Sequence, residues 1–390
     1  MRLKTRFAER MSLLRALPWG VVLPAISLSL LGIAFIYSAS TDFELSESSL
    51  AISGAYHVKQ AGYLVAGVAA MLALALCPQR WLSNGWPVML GVGLCMLVAV
   101  LIFGKTINGA KSWIMIGPFA LQPSEFCKPL ICVAIAGYFR FHRHIDSALA
   151  FSACVALSLV YFIPIMMQPD FGTSMVFIPM IGAMFWVAGG NRIYMVSLAS
   201  LGVAALPSAY ILGLLKPHQV KRIDVYLGSL SGQVVDRTGD GYQIMQSLTA
   251  IGSGGVAGKG FGEGTQSQLA FLPERHTDFI FSVYAEETGL LGVAVFLAIY
   301  FVMLARMLGI ARNTREPFGR LLVVGVATMF FSQLFINVGV ACGIIPLTGL
   351  TLPFMSYGGS SLLASFVGIG LVCNVAVQPQ RVMGGEVFGQ

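Results

Sequence analysis

Apolar residues run along this chain in long unbroken stretches, not at the three-to-four spacing of a soluble amphipathic helix. A helix crossing a bilayer core requires about 20 such residues. Stretches of that kind cover 19–39, 60–77, 86–103, 124–139, 149–167, 171–188, 193–214, 280–304, 321–345 and 356–377. They predict ten spans, of which the fourth, fifth and sixth are short or polar-tipped. The first stretch is too long for a cleaved leader, and Tyr37-Ser38-Ala39-Ser40 is a weak cleavage site. One connection breaks the rhythm. Residues 215–279, between spans seven and eight, are far longer than a plain turn requires. They carry apolar patches (Ile244 to Ile251, Leu269 to Leu272) between glycines, which predicts ordered structure.

Composition agrees with the pattern. Only 24 basic and 17 acidic residues occur in 390, 11% of the chain, against roughly 25% in a soluble domain. That excludes a soluble enzyme, a disordered chain and a nucleic-acid binder. The seven cysteines lie in or beside apolar runs with no CxxC pair, as small core residues do. The charges also orient the chain. Outside the long loop, fourteen Lys and Arg fall on the side that holds both termini, against Lys59, Lys105, Lys111 and Lys128 on the other. The positive-inside rule then puts the N- and C-termini in the cytoplasm. Loop 215–279 and the acidic cluster Asp42, Glu44, Glu47 fall outside. The expectation is an all-α polytopic membrane protein, a single domain over 1–390, with about ten transmembrane helices and one long extracytoplasmic loop.

Ionisable groups at membrane depth are costly, so those that occur are paired or line a wet cavity. Gln122-Pro-Ser-Glu125-Phe-Cys-Lys128 places Glu125 and Lys128 on one helix face. The pair reads either as a structural tie or as a cation presented to an anionic substrate. Gln168-Pro-Asp170-Phe-Gly-Thr173 puts a carboxylate where a helix N-cap belongs. The run Gly252 to Thr265 tempts a phosphate-loop reading, but Ser253 holds the first-glycine position and Gly260 follows Lys259. Its glycines suit tight turns and close backbone approach to a partner or ligand. Pro273-Glu-Arg275-His276-Thr-Asp278 stands just before the eighth span. Asp278 there is a candidate proton acceptor or an interfacial cap, and Glu286 follows at the period that would place it beneath. Leu352-Pro-Phe-Met-Ser356-Tyr-Gly-Gly-Ser-Ser361 offers small and hydroxyl side chains for helix packing or for a polar cavity. Gln333 and Asn337 on the preceding span favour a polar interior.

Five motifs stand in order: QPSEFCK (122–128), QPDFGTS (168–174), AIGSGGVAGKGFGEGTQ (250–266), HTDFIFSVYAEETGLLG (276–292) and LPFMSYGGSS (352–361). Together they resemble the SEDS family, the RodA/FtsW shape, elongation and division proteins, across essentially all ten spans. GKGFGEGTQSQL followed by FLPERHTDF looks more like the RodA elongation branch. The resemblance implies a peptidoglycan glycosyltransferase of the bacterial cytoplasmic membrane that polymerises lipid II. It implies a class B penicillin-binding protein and the elongation machinery as partners. The family's essential loop aspartate maps onto Asp278, and its Glu and Lys of the fourth span onto Glu125 and Lys128. Where many members read Gly-Ala-x-Arg-Trp, this chain has Gly109-Ala110-Lys111-Ser112-Trp113, so Lys111 stands one position from the family's Arg.

On that reading Asp278 takes a proton from the acceptor sugar's hydroxyl, and the departing pyrophosphate requires positive charge. Lys128, Lys111, Arg222 and Arg275 are the cationic candidates. His276, Asp170, Glu125 and Ser356 complete the substrate-binding set. A divalent cation (Mg or Mn) near Asp278 and Glu125 is a further candidate, although the sequence shows no closed metal site. Rival readings are a lipid-precursor flippase, a non-catalytic scaffold for the penicillin-binding protein, and the division branch of the family.

Overall fold

The computed structural model describes residues 16–40, 47–107, 110–117, 119–141, 147–168, 170–213, 217–230, 239–269 and 271–378. Asp42, Glu44 and the basic residues from Arg2 to Arg15 lie outside the described residues, as do Arg143 and Arg381.

All ten predicted spans are helices. In chain order the elements begin with α1 (Trp19–Ser40), α2 (Glu47–Ala75), the short α3 (Gln79–Asn84) and α4 (Trp86–Phe103). Three strands follow, β1 (Lys105–Ile107), β2 (Ala110–Ile116) and β3 (Phe119–Leu121). Next come α5 (Pro123–Arg140), α6 (Ala148–Met167), α7 (Phe171–Val187) and α8 (Arg192–Ile211). The long connection holds α9 (Pro217–Leu230), α10 (Asp240–Ser253) and the single turn α11 (Thr265–Gln268). The chain closes with α12 (Ile280–Asn313), α13 (Pro317–Ala341) and α14 (Gly359–Val377). Seven helices are long and apolar enough to cross a membrane: α1, α2 from Tyr56, α4, α6, α12, α13 and α14. α7 is a shorter apolar helix. α5 carries the buried Glu125 and Lys128, which lower its mean hydropathy.

The strands add a feature that periodicity in the apolar runs does not reveal. They form a small antiparallel sheet in the order β1-β2-β3 between α4 and α5. The helices pack by close approach of small residues, as expected where lipid supplies no hydrophobic drive between them. α14 lies along α2, and a Cβ at Gly370 would stand 2.9 Å from the Met71 backbone. α12 lies along α1, and α13 packs against α5, α7 and α12, with most of its surface buried.

α12 is two helices joined at a break. Gly289 has φ 65° and ψ −168°, so Ile280 to Thr288 forms a separate two-turn piece ahead of the main span. At the bundle end opposite the long connection, Glu316 joins α3 and α5 by accepting from Gln79 Nε2 (2.7 Å) and pairing with Arg140 (3.4 Å).

Candidate active site

The residues before α12 form one tight turn. The carbonyl of Glu274 accepts the N–H groups of Thr277 (3.1 Å), Asp278 (3.2 Å) and Phe279 (3.4 Å). Glu274 reaches this geometry at φ 50°, and Phe354, in the facing segment, sits at φ 69°. They are the two non-glycine residues with positive φ among the described residues. Such strain persists only where surrounding structure over-determines it, and it clusters at functional sites.

Three successive carbonyls of this turn are held from outside. Tyr357 N–H donates to His276 O (2.9 Å), and the Ser356 hydroxyl donates to Thr277 O (2.6 Å). Asn337 Nδ2 donates to Asp278 O (3.1 Å) and to Leu350 O (2.7 Å). Ser356 is itself fixed, accepting from Leu352 N–H at 2.8 Å. Buried Gln60 on α2 closes the arrangement, donating to Ser356 O (3.0 Å) and accepting from Gly358 N–H (3.2 Å). The backbone that carries Asp278 is therefore fixed by α2, α13 and the segment leading to α14. Beside it, the His276 ring stacks on Tyr56 with centroids 5.0 Å apart, and Tyr357 meets Tyr56 edge-on at 4.9 Å. Burial holds the His276 imidazole below its ordinary value of 6.5; Glu274 opposes the shift and Arg275 adds to it.

Segment 348–361 links this turn to the starts of α5 and α7. A Cβ at Gly349 would stand 3.7 Å from Asp278 Oδ2, and one at Gly172 would stand 2.8 Å from Thr348 O. Ser360 accepts from Gln122 N–H at 2.9 Å, just ahead of α5. Asp170 caps α7, as its position in the sequence suggests: Oδ1 accepts from Thr173 N–H (3.0 Å). Its other oxygen accepts from Ser124 Oγ (3.0 Å) and Gln122 Nε2 (3.2 Å), joining α7 to α5. In the first turns of α5, Lys128 Nζ lies 2.7 Å from Glu125 Oε1, with the side chains 1% and 4% exposed. Removing one partner of such a buried pair strands the other charge, at about 3–5 kcal/mol.

The glycine-rich loop fits into the break of α12. A break leaves carbonyls and N–H groups without their i to i−4 partners. Here Lys259 N–H and Gly260 N–H donate to the carbonyls of Glu286 (3.1 Å) and Glu287 (3.0 Å). Leu290 and Leu291 donate to Gly255 O (3.0 Å) and Val256 O (3.1 Å). The approach is possible only without side chains: a Cβ at Gly258 would lie 2.2 Å from Glu287 O, and one at Gly289 2.3 Å from Gly258 N. The partner these glycines approach is the chain's own broken helix.

Glu286 does not stand beneath Asp278 as its spacing suggests. Its carboxylate faces the loop, accepting from Lys259 Nζ (2.6 Å), Gln266 N–H (3.0 Å) and Thr265 Oγ1 (3.2 Å). Glu287 accepts from Ser38 on α1 and from Gly262 N–H (3.1 Å). Two other candidates are also engaged elsewhere. Lys111 Nζ donates to the α4 carbonyls of Leu101 (2.7 Å) and Ile102 (3.2 Å), a helix C-terminus that a cation suits. Arg275 donates to Ser267 O. Arg222 belongs to α9, and its side chain lies outside the described set. Among the described residues no three His, Cys, Asp or Glu side chains gather as metal ligands.

The turn at 274–279 was marked by the sequence, but Asn337, Gln60, Tyr56 and Lys259 were not singled out as its supports. Asn337 and Gln60 are polar residues within apolar runs, which is the signal available for them.

Comparison with known proteins falls on the same framework. The model of the cell cycle protein family FtsW/RodA/SpoVE matches residues 19–381. A probable peptidoglycan glycosyltransferase FtsW from Thiomicrospira cyclica is 37% identical over 382 residues, 95% of this chain and 94% of that protein. The peptidoglycan glycosyltransferase MrdB of Escherichia coli K12 is 35% identical over 355 residues, 90% of this chain and 92% of that protein. The crystal structure of the rod shape determining protein RodA from Thermus thermophilus superposes with TM-score 0.67 at 30% identity, covering 92% of this chain and 96% of that one. A chain of a peptidoglycan synthase complex that coordinates polymerization and crosslinking gives TM-score 0.76 at 30% identity, covering 92% and 97%. The chain belongs to the FtsW/RodA/SpoVE family, the SEDS proteins whose motifs it carries, and is an integral membrane protein.

Proposed function

We propose that this chain is a peptidoglycan glycosyltransferase that polymerises lipid II at the outer face of the cytoplasmic membrane, with Asp278 as general base. The observation that carries the reading is the fixing of three successive carbonyls, at His276, Thr277 and Asp278, by Tyr357, Ser356 and Asn337. A base acts only when its oxygen is held within hydrogen-bond reach of the proton it removes, and a rigid backbone supplies that placement.

In the proposed step, Asp278 takes the proton of the acceptor sugar's 4-hydroxyl as that oxygen attacks the anomeric carbon of the donor. The new C–O bond forms as the bond to the lipid pyrophosphate breaks. One displacement inverts an α-linked donor to a β-1,4 product, so a single carboxylate suffices and no covalent sugar intermediate arises. General-base assistance contributes about 10²–10⁴-fold. Lys128, paired with Glu125, is the cation we assign to the departing pyrophosphate. The polyprenyl tail lies among the helices and the sugars lie at the bundle end that holds the long connection.

The resemblance of GKGFGEGTQSQL and FLPERHTDF favours the elongation branch, with a class B penicillin-binding protein as the partner that cross-links the product. The test is Asp278→Asn in the purified complex, which keeps the side-chain size and removes the base. Polymerisation of lipid II at wild-type rate by that variant would overturn the assignment.

A further inference from the structure

The two-turn piece Ile280 to Thr288 carries Asp278 at its head, yet the break at Gly289 cuts it from the main span. Besides the ties at its head, its position is set by what fills the break. Four backbone hydrogen bonds from Gly255 to Gly260 do this. Among the charged side chains of that loop, Lys259 reaches the two-turn piece itself: its ammonium lies 2.6 Å from Glu286, with the side chains 25% and 0% exposed. The same ammonium donates to Thr265 Oγ1 (2.8 Å), which in turn donates to Glu286 (3.2 Å). Lys259 thus ties the middle and the C-terminal end of the glycine loop to a buried carboxylate, two turns from Asp278.

We infer that Lys259 is a positioning residue, locking the glycine-rich loop into the break of α12 through Glu286 and so setting the placement of Asp278. The inference rests on the reading of Asp278 as base. Lys259 never meets the substrate on this account. It acts on the turnover step and leaves lipid II binding unchanged, because an ion pair that only orients the base contributes at the transition state. A displacement of the base by about 1 Å costs on the order of 10²-fold in rate.

The experiment compares Lys259→Gln, Lys259→Arg, Thr265→Val and Asp278→Asn in the purified complex, with lipid II as substrate. Lys259→Gln should lower kcat by about 10–100-fold with KM within about twofold, the signature of an interaction felt only at the transition state. Lys259→Arg keeps the charge and should restore kcat. Thr265→Val weakens the same tie without stranding a charge, so it decides the matter if Lys259→Gln does not fold; it should lower kcat by a smaller factor. A wild-type kcat in the folded Lys259→Gln or Thr265→Val complex, or a raised KM with kcat kept, overturns this inference while inactivity of Asp278→Asn leaves the function standing. Wild-type polymerisation by Asp278→Asn overturns the function itself and this inference with it.

Discussion

Asn337 offers a test of how much the site depends on a fixed backbone. Replacing it by Leu keeps the branching and the number of side-chain heavy atoms and removes the donor that serves Asp278 O and Leu350 O. Each buried carbonyl left without a donor costs about 1–3 kcal/mol. One such cost is offset, because Asn337 Oδ1 is itself buried without a hydrogen-bond partner among the described residues and disappears with the substitution. The net loss is therefore about one unpaired group, ~1–3 kcal/mol. Against a total stability of about 5–15 kcal/mol, the protein stays folded. Activity should nonetheless fall by about 10–100-fold, since the turn that carries Asp278 loses one of its three external ties and a shift of ~1 Å suffices for that loss. Asn374 provides a control at the opposite end of the bundle. Its Nδ2 donates to Leu74 O (2.8 Å) and Cys77 O (2.5 Å), and its Oδ1 is likewise buried without a partner among the described residues. Asn374→Leu leaves each carbonyl with another donor, Cys77 N–H on Leu74 O (3.1 Å) and Gln378 Nε2 on Cys77 O, so it should cost less stability than Asn337→Leu and leave turnover alone. The assay is lipid II polymerisation beside thermal unfolding for both variants. Equal activity loss in the two, or full activity in a destabilised Asn337→Leu protein, would refute the reasoning.

Two further outcomes follow from the same geometry. Lys111→Met removes a cation from the end of α4 and should cost about 0.3–1 kcal/mol of stability with kcat within about twofold of wild type; a tenfold loss of kcat at unchanged stability would instead place Lys111 on the pyrophosphate. Burial lowers the folded-state value of His276 below 6.5, so as pH falls the unfolded chain takes up that proton first. Stability from this group is complete above pH 6.5 and is lost as the pH drops from there through the lowered folded value. Thermal unfolding of the wild type between pH 7.5 and 5.5, set against His276→Phe, should therefore show the steeper decline in the wild type, and equal slopes would contradict it.

How much of this was legible differs by element. The ten helices were readable because each span must cover its own backbone polar groups within lipid, which imposes a long apolar run. The break at Gly289 was not, since apolar residues flank Glu286-Glu287-Thr288-Gly289 on both sides and the residues that repair the break lie thirty positions upstream. The sheet between α4 and α5 was missed for a related reason: three strands of seven residues or fewer carry too short an alternation to stand out. At the site, residue type and place marked Asp278, Glu125, Lys128 and Asp170. Lys111 and Glu286 were also marked, on charge and spacing, but their partners are backbone carbonyls of α4 and the loop lysine, contacts that spacing along one element does not encode.

By itself the sequence determined the membrane class, the apolar runs that become helices, the family motifs and the short roll of charges too costly at membrane depth to be incidental. Only the tertiary structure decided what each charge faces. It assigned the glycine-rich loop to the chain's own broken helix, because a buried backbone that leaves helical geometry must find other partners for its N–H and C=O groups. It also brought Gln60, Asn337 and Ser356 from three distant parts of the chain onto the turn that carries Asp278. Hydrophobicity is a property of each residue and accumulates along the chain, whereas a hydrogen bond belongs to a pair and exists only once folding has joined its two halves.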